Sequence, residues 1–141
     1  TGEVKWLKSQ FDGIRISRQG ELVDIMAGAK MVIIDHPGTS MLESLVMDVP
    51  IVCYWSRAHF QMIPEATRDL DGLQRAGIVY DDPLAAADQV NRVWDDPSAW
   101  WGSNEVQEAR LKYVRKYAWA CKEWRSRWSG FIKVLNENGI V

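Results

Sequence analysis

One stretch constrains this chain more than any other: Met31–Trp55, MVIIDHPGTSMLESLVMDVPIVCYW. It opens on Met31-Val32-Ile33-Ile34, a short run rich in β-branched residues and bounded by polar ones. That composition suits a strand buried on both faces. A polar turn follows, Asp35-His36-Pro37-Gly38-Thr39-Ser40, and then a helical pattern over 41–47 that Val49-Pro50 stops. Ile51–Trp55 reads as a second buried strand. Strand, loop, helix and strand make one βαβ unit, whose crossover is right-handed in nearly all cases. Open parallel sheets bind ligands at the carboxyl ends of their strands, where the polar loop falls.

The loop has two readings. In the first it binds a phosphate. Gly38 lets a backbone approach a bulky ligand, and Thr39 and Ser40 bring hydroxyls and free amides to a helix start. Glu43, one turn on, can accept from the vicinal hydroxyls of a ribose, and His36 can donate to a phosphate oxygen. In the second reading Ser40-Met41-Leu42-Glu43 is a plain capping box that needs no ligand.

The run Asp-His-Pro-Gly-Thr-Ser-x-x-Glu-Ser-Leu, followed by Asp-Val-Pro-Ile-Val, resembles the donor-binding half of GT-B glycosyltransferases. More narrowly, it is similar to transferases of bacterial surface polysaccharide (O-antigen) biosynthesis, on Thr39-Ser40, Met41-Leu42-Glu43-Ser44, Val49-Pro50-Ile51-Val52 and Tyr54-Trp55. The likeness continues through Ala76-Gly77-Ile78-Val79-Tyr80 and Val93-Trp94-Asp95-Asp96. It implies that Gly38, Thr39 and Ser40 hold the diphosphate of a nucleotide sugar and that Glu43 holds its ribose. It also implies a glycan or lipid-linked acceptor, no cofactor beyond the donor itself, and a further N-terminal domain of the same protein. The resemblance names no catalytic base. It departs where GT-B enzymes carry an earlier second Glu; Asp35-His36 fills that neighbourhood here. A His-Pro pair also occurs in transferases that use CMP-sugars.

The expected fold class is α/β: a three-layer, Rossmann-like parallel sheet, present as a partial domain over 1–103, with a helical region over 104–141 packing on it. Strands are expected at 14–16, 31–34, 51–54 and 78–80, and helices at 21–29, 64–76 and 84–94. The tripeptides Asp81-Asp82-Pro83 and Asp95-Asp96-Pro97 read as turns and helix caps, not as catalytic acid pairs. Two other loops face the expected cleft: Arg18 in one, Arg57 and His59 in the other. Each is a possible phosphate or sugar contact or an ordinary surface residue. Two histidines with no Cys or paired carboxylate nearby do not make a metal site.

Charge is near balance at −2, which gives no argument for nucleic acid. No apolar run approaches the roughly 20 residues a membrane helix needs. Cys53 in a strand and Cys121 in a helical pattern read as buried thiols of a cytoplasmic protein. Tyr113, Tyr117, Cys121, Trp124, Trp128, Phe131 and Leu135 recur at helical spacing, which predicts one long helix to about Asn138, kinked near Ser129-Gly130. Seven basic residues against one acidic one between Arg110 and Arg127 allow two readings: a core stripe with a solvated back, or a surface that meets the inner face of a membrane. Trp119 lies off the stripe, and in the resembling fold it would touch the acceptor half. Three functions compete: sugar transfer, another enzyme on the same half-fold (a UDP-sugar 2-epimerase or a CDP-glycerol-type glycerophosphotransferase), and a non-catalytic membrane or partner module.

Overall fold

The β-branched runs pair as a parallel sheet. In a computed structural model, which describes residues 2–17, 19–119 and 121–139, strands β1 (Val32–Ile34), β2 (Ile51–Tyr54) and β3 (Val79–Tyr80) lie in the order β1-β2-β3. Both pairings are parallel, with Val32 opposite Ile51, Ile34 opposite Cys53, and Cys53 opposite Val79. The helices before the second strand are α1 (Gly2–Gln10), α2 (Leu22–Ala27) and α3 (Thr39–Met47). Those after it are α4 (Pro64–Arg75), α5 (Pro83–Val93), α6 (Pro97–Trp101), α7 (Asn104–Tyr117) and α8 (Trp124–Glu137). The architecture is mixed α/β and consistent with a partial Rossmann-like domain.

Alternation along the strands sends Ile34, Ile51, Cys53 and Val79 to one face. There they join Met41 and Leu45 of α3, Leu70 and Leu73 of α4, and Val106 and Tyr113 of α7 in one core. Leu45, Leu73, Ile51 and Ile78 are fully buried, each contributing roughly 1.5–3 kcal/mol. Cys53 is buried among them, and that burial pushes its thiol pKa up. On the opposite face α5 packs over β2 and β3. It leaves Ile33 of β1 55 % exposed, so the expectation of a first strand buried on both faces is corrected.

Local chemistry sets the helix starts. Asp82 and Asp96 each accept a bond from the amide three residues on, at 3.0 Å, and a proline follows each. The twin Asp-Asp-Pro tripeptides are caps, as the sequence predicts. Pro64 opens α4, and Gly77 follows its end at φ +75°, where a side chain would be strained.

Two expectations fail. The strand expected at 14–16 does not form: Ile14 and Ile16 are exposed, and three residues after a glycine turn find neither a ladder partner nor a face to cover. The long C-terminal helix is two helices. α7 ends at Tyr117, and α8 begins at Trp124. Cys121 lies half-buried between them. The stripe is therefore not one core face. Tyr113 is buried, but Trp124, Trp128 and Phe131 are exposed.

Lys116 on α7 donates to Glu65 at 2.7 Å and to Asp69 at 2.6 Å, both on α4, and the Tyr117 hydroxyl also donates to Asp69. The Lys116 and Tyr117 hydrogen bonds hold the Asp69 carboxyl below its ordinary range. A depressed carboxylate adds stability above its unfolded pKa of 3.8, and that stability is lost as pH falls through the lower native value. Asp69→Asn is expected to show a shallower acid limb than the parent in urea melts taken from pH 6 down to about pH 2. Parallel limbs would mean that the cluster does not bias folding.

Candidate functional site

α3 starts at the carboxyl end of β1. Its N-cap is Gly38, in extended conformation, with no side-chain cap. The Ser40–Glu43 capping box is thus not used: the helix begins before the serine that would cap it. The amides of Thr39 and Ser40 stand in the uncapped first turn, where no intrahelical acceptor exists. The His36 ring folds over this start. A Cβ on residue 38 would lie 2.9 Å from both Cδ2 and Nε2 of His36, so glycine permits the approach. Asp35 holds the ring from the other side, Oδ1 to Nδ1 at 2.8 Å. A carboxylate only accepts, so Nδ1 carries the proton. That bond keeps the Asp35 carboxyl below its usual range despite partial desolvation.

A groove of about 380 Å³ runs along the outer face of α3. Thr39, Leu42, Glu43, Val46 and Met47 line one side; Val23 of α2 and Ala118-Trp119 complete it. Thr39 and Glu43 are four residues apart and share a face. Ser40 is half-buried and not part of that lining. Trp119 arrives by way of α7. Gln107 and Arg110 bond Asp48 at the C-terminal end of α3, and Arg110 also donates to the Leu45 carbonyl at 2.7 Å. α7 therefore passes α3 from its C-terminal end toward its start and delivers Trp119, 59 % exposed, beside Thr39 and Glu43. The Arg127 guanidinium lies 4.9 Å from the Trp119 ring centroid. The lining is mostly apolar, with the Thr39 hydroxyl and the Glu43 carboxylate as its polar groups, so it suits a ligand that joins an apolar or aromatic part to hydroxyl groups.

A family model described as LIC12162 family transferase matches residues 1–132. The chain belongs to this transferase family. Comparisons with curated proteins and with solved structures give no match.

Elsewhere in this transferase, Arg57 lies on the loop after β2 and clasps the loop after β3. Its Nε meets Asp81 at 2.8 Å and one Nη lies 3.9 Å from Asp71, while Gln74 donates to the second oxygen of Asp81 at 3.3 Å. Arg57 lines a groove of about 290 Å³ with Trp55, Phe60 and Gln61, which shares no lining residue with the α3 groove. His59 is exposed on the turn that Ser56 closes. Arg18 lies outside the described residues. Among the described residues no group of three or more His, Cys, Asp or Glu side chains converges to hold a metal ion. The contributor that sequence reasoning missed at the groove is Trp119. Its one signal was that it stood off the helical stripe, in the segment where the helix breaks.

Proposed function

We propose that this transferase moves a sugar from a nucleotide sugar to a glycan or lipid-linked acceptor of the bacterial surface, with the GT-B arrangement, and that the α3 groove holds the donor nucleotide. The observation that carries the reading is the lining of one groove by Thr39, Glu43 and Trp119 along α3, the helix that starts after β1. In this reading the uncapped first turn of α3, with Gly38, Thr39 and Ser40, receives the diphosphate, and of the three Thr39 lines the groove. Glu43 accepts from the ribose hydroxyls. Trp119 stacks on the base. In this reading His36, held by Asp35 through Nδ1–H and lying over Gly38, stabilises the charge that grows on the leaving diphosphate through Nε2–H in its doubly protonated form, the main catalytic contribution of this half of the site. Membership of a transferase family supports group transfer over epimerisation. A glycerophosphotransferase would use the same groove with a cytidine nucleotide.

Calorimetry with UDP, CMP, CDP and dTDP on the full-length protein tests this. One of the four is expected to bind. Trp119→Ala is expected to weaken that binding about 5- to 100-fold, the range found for loss of one base–aromatic stack. Preference for CDP would favour the glycerophosphotransferase. Binding of none would remove the proposal.

A further inference from the structure

We propose that α8 is an in-plane anchor that seats this transferase on an anionic phospholipid bilayer. The inference stands on α8 and does not need the nucleotide reading, although Trp119 borders both grooves. None of the described residues of α8 is buried against the domain. Trp124, Trp128 and Phe131 are 53, 58 and 53 % exposed, and Ile132 and Val134 are also open. At 3.6 residues per turn, Trp124, Trp128, Phe131 and Leu135 fall on one narrow strip, which Ile132 and Val134 widen to a sector of about 160°. Arg125 flanks one border of that sector, and Arg127 falls just inside the other. Their guanidinium groups lie 5.1 Å from the Trp124 centroid and 4.9 Å from the Trp119 centroid. Lys133 stands on the opposite, polar face. Trp119, Trp124, Trp128, Phe131 and Arg127 enclose a wide apolar groove of about 580 Å³ that opens to solvent.

The charge pattern chooses the occupant. Residues 121–137 carry Lys122, Arg125, Arg127 and Lys133 against Glu123 and Glu137, a net +2 in a chain whose net charge is −2. Positive charge is therefore concentrated here. A second copy would bring the same cations face to face, and the centres of protein interfaces are depleted of charge. A bilayer of acidic lipids meets both requirements. Tryptophan rings settle at the headgroup level, and long cationic side chains at the borders of an apolar sector reach back to phosphate. The helix has 14 residues, about 21 Å of length against a hydrocarbon core of about 30 Å, and among the described residues no helix is long and apolar enough to cross a membrane. It lies on the bilayer and does not span it.

The test is co-sedimentation of the full chain with vesicles of phosphatidylcholine, with and without phosphatidylglycerol. Binding is expected only with phosphatidylglycerol. It is expected to fall steeply between about 0.1 and 1 M salt, where the Debye length shrinks from ~10 to ~3 Å. The double variant R125Q/R127Q is expected to bind about thirtyfold more weakly, about fivefold for each cation. Trp124→Ser with Trp128→Ser is expected to abolish binding and leave the melting temperature unchanged, because neither ring is buried in the fold. No sedimentation with anionic vesicles at low salt would overturn the proposal. So would equal binding to neutral vesicles. So would a dimer, seen by sedimentation equilibrium and lost in the tryptophan variant, without vesicle binding, since a second copy would then cover the face.

Discussion

Asp48→Ala is expected to lower the unfolding free energy by about 2 kcal/mol, from loss of a left-handed cap and of a shared acceptor. Asp48 ends α3 at φ +62°, a conformation that costs a β-carbon residue roughly 1–2 kcal/mol and that Asp tolerates better than Ala. Its Oδ1 accepts from Trp101 Nε1 at 2.8 Å and Gln107 Nε2 at 3.2 Å, and it pairs at 3.1 Å with Arg110 Nε, which donates to Gln107 Oε1. Arg110 and Trp101 are buried but keep other acceptors, Gln107 Oε1 and the Leu45 carbonyl for Arg110 and the Asp48 carbonyl for Trp101, so the lost side-chain bonds cost about 1 kcal/mol in all, not the penalty of an orphaned donor. The carboxylate itself is half exposed, so the charge adds little beyond the hydrogen bonds. Two companion variants separate the causes. Asp48→Gly relieves the backbone but removes the side-chain acceptor, and Asp48→Asn keeps an acceptor oxygen and tolerates the left-handed region. The expected order in urea melts is parent, Asn, Gly, Ala, from most to least stable. An alanine variant within ~0.5 kcal/mol of the parent would show that this joint does not hold α7 against α3.

Glu43→Ala is expected to weaken nucleotide binding by about 10- to 100-fold, the effect of losing hydrogen bonds to a charged acceptor. Stability should hardly move, because Glu43 is exposed and takes no part in capping α3. Calorimetry on the full-length enzyme measures the first effect and a thermal melt the second. Glu43→Gln keeps an acceptor oxygen and is expected to fall between parent and alanine. Unchanged affinity in the alanine variant would remove the ribose contact. A loss of stability equal to the loss of affinity would return Glu43 to a structural role.

The two joints differ in how much of them could be read in advance. The start of α3 was open to reading because its parts are contiguous: β-branched strand, Gly38, hydroxyls, and Glu43 one turn on. Within it, one detail came out otherwise. Ser40-x-x-Glu43 has the spacing of a capping box, yet the chain enters the helix two residues before Ser40, at Gly38, and Glu43 shares its groove with Thr39. The Asp48 joint was out of reach, because Trp101 and Arg110 lie 53 and 62 positions away and no local pattern pairs them.

Periodicity was reliable where a residue's partner lies in the same element. It misled at the C-terminus, where aromatic spacing of three and four marks an apolar face but cannot say whether anything packs on that face. Tyr113 and Trp128 share the stripe. One meets the core and the other meets solvent, because the chain breaks between Tyr117 and Trp124.

The sequence alone determined the parallel α/β order, the three central strands, the proline and aspartate helix starts, and the polar loop after β1. These follow from β-branching, capping and turn chemistry, all of which act over a few residues. Only the tertiary structure decided that 14–16 forms no strand, that α5 leaves Ile33 bare, that Asp48 gathers α6 and α7, and that Trp119 stands beside Glu43. Each depends on which distant surfaces meet, and that is settled by the packing of whole elements and not by neighbours along the chain.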